Sequence, residues 1–179
     1  CESMGIHEYQ EALRLGRKEY KSCVAKGCFP YLPVLDEIID NDTILTEKYL
    51  GLMNIPLDHV VGTSTVGRTQ AFAANFMPIL EYGSEFSVKW SNLSDAQVTE
   101  GIRDPIEVYE YMNRYYVVEG NKRVSVLKYY EAFAIPALVT RKVPKLTDDE
   151  DIKRYYEFMK FSDVSGLNTI EFTREGSAE

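Results

Sequence analysis

A small mixed sheet with flanking helices, the α+β class, is what the sequence predicts, and three adjoining segments carry that reading. Residues 106–112 and 115–119 are aromatic and β-branched runs separated by Asn113-Arg114, the pattern of a β-hairpin with a two-residue turn. Gly120 closes the second run. Residues 121–134 then return Val126, Tyr129, Tyr130 and Phe133 at i, i+3, i+4 and i+7, which is helical spacing. Ile135-Pro136 resets the chain toward extended geometry, and 137–142 reads as a further strand.

Upstream, residues 6–26 predict an amphipathic helix, with Tyr9, Leu13, Tyr20 and Val24 recurring among Glu, Arg and Lys, and Gly27 as its stop. Residues 28–33 are an aromatic, proline-containing connector, followed by a short helix or turn over 36–39. The acidic run 36–42 reads as a solvated face rather than a metal site. Residues 52–61 are apolar and β-branched and predict a strand entering Gly62, and 63–68 is a polar, glycine-flanked loop. A short helix broken by Pro78 is expected over 71–80. Residues 85–100 predict a helix with Phe86, Trp90, Leu93 and Gln97 near one face and Gly101 at its end. Downstream, 147–160 predicts a helix capped by Thr147, with Asp148, Asp149 and Glu150 in its first turn. A last strand over 168–173 and a frayed tail over 174–179 complete the reading. The expected organisation is an N-terminal helical extension (1–50), the α+β domain (51–145) and a C-terminal helix-strand extension (146–179).

Composition narrows the function classes. The chain of 179 residues is 45% hydrophobic and 27% charged, the mixture of an ordinary globular protein. Its net charge of −8 argues against a protein that coats DNA or RNA, because phosphate neutralisation needs clustered Lys and Arg. A single anionic ligand needs only one local basic pocket. No apolar run approaches the roughly 20 residues that span a bilayer, so no membrane partner is expected. Cys1, Cys23 and Cys28 do not make a disulfide framework, and no histidine accompanies them as a zinc ligand. Reduced, structural thiols in a cytoplasmic protein are the expectation. His7 and His59 lack partner signatures and read as structural. The 13 tyrosines read as core and interface residues.

The candidate site is Gly120-Asn121-Lys122-Arg123, at a strand-to-helix junction. The first turn of a helix carries unpaired N–H groups and the positive end of the macrodipole, which suits phosphate. Glycine admits an anion close to the backbone, Lys122 and Arg123 add two cations, and Ser125 adds a hydroxyl. The alternative is a simple glycine turn into a surface helix. Gly101-Ile102-Arg103-Asp104-Pro105 is a second glycine turn that is expected to line a base or ribose pocket or, alternatively, only to stop a helix. The loop 62–68 offers Thr65 and Arg68 but lacks a Walker ending. Glu119, beside the basic turn, reads as a Mg²⁺ ligand or general base, or equally as the ion-pair partner of Lys122 or Arg123.

The order of these segments resembles the N-terminal domain of ParB and, through it, the ParB/sulfiredoxin-like fold. The residues that carry the resemblance are Gly101-Ile102-Arg103-Asp104-Pro105-Ile106, the strand Tyr115 to Glu119, Gly120-Asn121-Lys122-Arg123, and Ile135-Pro136-Ala137-Leu138-Val139. Ile55 to Val61 and Arg68 are similar to that family's opening strand and arginine. The resemblance implies that Gly120, Lys122 and Arg123 face the phosphates of CTP, ATP or ADP, that Gly101 to Pro105 lie near the nucleoside, and that Arg68 is a further contact. Asn121 stands where sulfiredoxin has its reactive cysteine and where ParB clamps have Glu, so sulfinic-acid reduction is not expected and CTP hydrolysis loses a residue. No helix-turn-helix pattern follows residue 143, so DNA binding is not expected. The whole chain is also similar to the front part of longer bacterial proteins that carry a basic-membrane-protein-type substrate-binding module. The function implied is a nucleotide-binding sensor or switch, or an NTPase or phosphotransferase using Glu119, Lys122 and Arg123. The alternatives are a non-catalytic, homodimerising interaction module and a ParB-like nuclease.

Overall fold

The computed structural model describes residues 4–64 and 70–165. The expected strand over 168–173, the tail, Thr65 and Arg68 lie outside the described residues. The chain forms two compact units, Cys1–Val143 and Pro144–Glu179. Among the described residues no helix is long and apolar enough to cross a membrane.

In the first unit, α1 (Met4–Lys26) ends at Gly27, whose φ of +80° turns the chain out of the helix. α2 (Leu35–Ile38) is a single turn. β1 (Ile44–Pro56) and β2 (Val60–Thr63) follow, then α3 (Glu85–Thr99), β3 (Ile106–Tyr111), β4 (Arg114–Glu119), α4 (Asn121–Tyr129) and β5 (Ala134–Pro144). The strands make one five-stranded sheet among the described residues, in the order β1-β5-β3-β4-β2. β3 is antiparallel to β4 and parallel to β5, and β2 runs parallel to β4. A mixed sheet with flanking helices is the α+β architecture expected from the sequence.

Alternation along β3 sorts the two faces of the sheet. Ile106 and Val108 join the main core with Tyr9, Ala12, Leu13, Phe72, Phe86, Trp90 and Val126. Tyr109 and Tyr111 point the other way and pack on Leu35, Ile39 and Tyr116. The helix expected as an N-terminal extension is therefore part of the domain, since Tyr9, Ala12 and Leu13 sit in the same core as the central strands. Fully buried Trp90 ties three helices together. Its indole N–H donates to Ser125 Oγ of α4 at 2.8 Å, and its ring meets Tyr9 of α1 and Tyr129 of α4 edge-on at 5.5 and 5.7 Å.

Four sequence expectations change in detail. The single strand over 52–61 is two: β1 starts earlier, at Ile44, and stops at Pro56, and the 3₁₀ turn Leu57–His59 precedes β2. Residues 71–80 form a tight turn rather than a helix. Phe76 takes φ +70°, and Ala73 and Met77 close the turn through the Ala73 N–H on Met77 O at 2.9 Å. α4 stops at Tyr129 because Glu131 takes φ +59°, and Phe133, expected on its apolar stripe, is 84% exposed. The hairpin turns one residue earlier than expected, on Met112 and Asn113, with φ +53° and +67°; two positive φ values are the signature of a type I′ turn.

In the second unit, α5 (Glu150–Ser165) begins three residues after Thr147. Asp149, not Thr147, is its cap: Asp149 Oδ1 accepts from the N–H groups of Asp151 and Ile152 at 2.8 and 3.2 Å. The Thr147 hydroxyl instead accepts from the Asp149 N–H at 3.1 Å.

Among the described residues, one ion pair is buried. Glu110 of β3 is opposite Arg141 of β5 in the parallel register, with Arg141 Nε donating to Glu110 Oε1 at 2.5 Å and both side chains at most 10% exposed. The second carboxylate oxygen accepts the Asn113 N–H at 2.7 Å, so one buried charge holds β5 and the hairpin turn together. Glu110→Ala takes that carboxylate away from a buried guanidinium, and a loss of about 3–5 kcal/mol is expected in urea unfolding. A loss below about 1 kcal/mol would show that water or other side chains already satisfy Arg141.

Candidate functional site

The chain leaves β4 and enters α4 through Gly120, with φ +116° and ψ +24°. A Cβ built on this residue would lie 2.4 Å from Ile106 Cγ2 and 2.9 Å from Ile106 Cβ. Only glycine fits, for two independent reasons: the left-handed backbone and the isoleucine of the neighbouring strand. The same glycine gives α4 no side-chain cap, in contrast to α3, whose cap Ser84 accepts from the Ser87 N–H at 3.1 Å. The first helical bond of α4 runs from the Val124 N–H to Gly120 O at 3.0 Å, which turns the N–H groups of Asn121, Lys122 and Arg123 toward the helix start.

A cleft of about 540 Å³ opens at that helix start. Val118, Glu119, Gly120, Asn121, Lys122 and Arg123 form one wall; Phe72, Phe86, Lys89, Asn92 and Leu93 form the other. Five of the sequence-predicted residues, Glu119 to Arg123, are therefore brought together. The wall from α3 was not anticipated. Its only sequence signal is that Phe86, Lys89 and Leu93 fall at helical spacing on an otherwise core-forming helix, which puts a cation on the rim of an apolar face.

Electrostatics at the cleft are local. Lys122 Nζ sits over the Phe86 ring, 5.3 Å from its centroid, and Lys89 pairs loosely with Glu85 at 3.5 Å on the exposed side of α3. Arg123 is committed elsewhere. Its Nη1 donates to the carbonyls of Asp104 and Pro105 at 3.1 and 3.0 Å, and its Nη2 donates to Glu119 Oε1 at 2.9 Å. Of the two equal readings of Glu119, the ion pair is the one present, and its partner is Arg123. Among the described residues no group of three His, Cys, Asp or Glu side chains is placed to hold a metal ion.

The remaining predicted residues separate. Ser125 is fully buried and accepts from Trp90, so its hydroxyl serves the core and does not reach the cleft. Residues 101–105 are not on the cleft wall. Gly101, with φ +83°, closes α3 by donating to Ala96 O and Gln97 O, and the Ile102 N–H donates to Gln97 Oε1 at 2.8 Å. Arg103, Asp104 and Pro105 are exposed, and the Pro105 carbonyl accepts from Arg123 of α4. Gly101 and Ile102 thus close the end of α3. Thr65 and Arg68 lie outside the described residues.

Asn121 is the least settled polar group in the cleft. Its Nδ2 donates to Thr63 Oγ1 at 3.3 Å, and that hydroxyl donates onward to Val117 O at 3.0 Å. Its Oδ1 is buried and meets no hydrogen-bond donor among the described residues. A buried acceptor without a donor costs about 1–3 kcal/mol, so the position tolerates strain. Comparison with protein-family models gives no match, and neither does comparison with curated proteins.

Gly120→Ala tests the bend itself. The backbone cost is about 1–2 kcal/mol, and forcing a methyl against Ile106 adds about 1–3 kcal/mol. Chemical denaturation is expected to show a combined loss within the sum of those ranges; an unchanged midpoint would mean that the strand-to-helix junction yields to a methyl group without cost.

Proposed function

We propose that this chain binds a nucleotide, CTP, ATP or ADP, through the cleft at the start of α4, and acts as a sensor or switch. The observation that supports this reading most is the conjunction at one place: a helix N-terminus whose cap residue is a glycine in a left-handed bend, and a cleft of about 540 Å³ with Lys122 on one wall and Lys89 on the other. First-turn N–H groups and the helix dipole favour a phosphate, and two lysines offset the local effect of a net charge of −8. Phe86, Phe72 and Leu93 give the cleft an apolar side, which suits a base or ribose face. The Asn121 Oδ1 acceptor suits a ligand hydroxyl or amino group.

In this reading the residues divide their work. Backbone N–H groups of Asn121 and Lys122 hold phosphate oxygens, and Lys122 and Lys89 supply charge. Arg123 is a positioning residue, since it fixes Asp104, Pro105 and Glu119 around the helix start. Mg²⁺ would enter with the phosphates, with Glu119 as the nearby carboxylate. The resemblance to the ParB/sulfiredoxin-like fold supports the same ligand class.

A second reading, a homodimerising interaction module, is favoured by β1. This strand ends the sheet and exposes Leu45, Tyr49 and Leu52 by 61%, 65% and 65%. Solution mass separates it from the first.

A thermal-shift series with CTP, ATP, ADP and GTP, each with and without Mg²⁺, tests the proposal. A ligand at 100 times its Kd stabilises by about 2.7 kcal/mol, and at least one of the four is expected to raise Tm. Lys122→Glu and Lys89→Glu are each expected to weaken that ligand about tenfold or more. No shift with any nucleotide, in a chain that unfolds cooperatively, would overturn the proposal.

A further inference from the structure

We infer that Cys23 and Cys28 form a redox-active dithiol that closes to an intramolecular disulfide by exchange with a small-molecule disulfide. The placement follows from how α1 ends. The Gly27 N–H donates to Val24 O at 3.2 Å and the Cys28 N–H donates back to Cys23 O at 2.9 Å, with Gly27 in the left-handed region. This pair of bonds is a Schellman closure, which makes the side chains at its first and last positions neighbours. Here both are cysteines. The Cys28 thiol also donates to Cys23 O at 3.4 Å, which turns its sulfur back toward the last turn of α1 that carries Cys23.

Their exposures assign the order of events. Cys28 is exposed and Cys23 is only 6% exposed. The Cys28 thiolate attacks one sulfur of the small disulfide; the S–S bond breaks, one thiolate leaves, and Cys28 carries a mixed disulfide. The Cys23 thiol donates to Glu19 Oε2 at 3.5 Å, so that carboxylate is placed to take its proton. The Cys23 sulfur then attacks Cys28 Sγ, and the second small thiolate departs. Two protein thiols lose two electrons, and one disulfide becomes two thiols. The neighbouring thiol, burial and the Glu19 carboxylate hold the Cys23 thiol up at about 11, consistent with Cys23 acting second.

The product would pin the last turn of α1 to the connector that carries Phe29 and Tyr31, whose rings meet at 5.7 Å, while Tyr31 also packs on Tyr20 of α1 at 5.6 Å. The experiment uses the full chain with Cys1→Ser, which leaves these two cysteines of the three. It is incubated with glutathione disulfide, quenched in acid, alkylated and weighed. The expected product has lost two hydrogens, carries no glutathione, and forms at least tenfold faster in the folded chain than in urea. Cys23→Ser is expected to stop at a stable glutathione adduct on Cys28, and Glu19→Gln to prolong the mixed disulfide. Persistent adducts on both cysteines, linkage only between molecules, or equal closure rates folded and unfolded would each overturn the inference.

Discussion

The bend at Gly120 is the constraint on which the rest of the site depends. β4 lies between β3 and β2, and the chain leaves it against Ile106 of β3. No residue with a Cβ makes that exit without displacing the isoleucine. Because a glycine stands at the helix start, the cap position itself offers no side chain to the first turn of α4, and that turn opens on a cleft. One steric requirement therefore produces both the packing of the hairpin against α4 and the helix start that lines the cleft beside it. The glycine is needed for the fold whether or not anything binds there, so its presence alone says nothing about a ligand; the cleft and its lysines carry that part of the argument.

Around the bend, polar residues that look interchangeable in a sequence have different tasks. Lys122 lies along the cleft, while Arg123, one residue on, reaches back along the helix to two carbonyls and a carboxylate. An arginine can satisfy three acceptors at once because its donors form a rigid fork, which suits it to clamping a loop. Ser125 shows the same division. Its hydroxyl lies on the inner side of α4 and gives Trp90 the acceptor that a buried indole needs. The tie between Trp90 and Ser125 also fixes the distance between α3 and α4, which are the two helices that bound the cleft.

Much of the fold was legible because its central part obeys short-range rules. The hairpin 106–119 and the glycine after it are encoded by alternation and turn residues, and the strand after α4 by its β-branched run, although it starts at Ala134 and takes in Ile135 and Pro136. What was not legible depended on long-range contacts. β1 begins at Ile44 in a run, Thr46-Glu47-Lys48, with no apolar alternation, because an end strand exposes both faces there and pattern has little to act on. Glu131 and Phe76 adopt left-handed backbone without being glycine or asparagine, so the stop of α4 and the turn at 71–80 left no local signal. Of the site, Glu119 to Arg123 could be read as a strand-to-helix junction. The opposite wall could not, since only tertiary packing brings Lys89 and Asn92 across from them. Helical periodicity does not say which of two adjacent residues, Lys122 or Arg123, faces a cleft and which faces a loop.

Nucleotide binding at the start of α4 is visible directly in the backbone amides of that turn. The decisive measurement is a ¹H–¹⁵N spectrum of the chain recorded through a titration with CTP or ATP and Mg²⁺. Saturable shifts centred on the backbone amides of Gly120, Asn121, Lys122 and Arg123, with smaller ones at Lys89 and Asn92, are the predicted result. Amides at these positions that stay fixed while the nucleotide reaches millimolar concentration, or shifts confined to another face of the sheet, would contradict it.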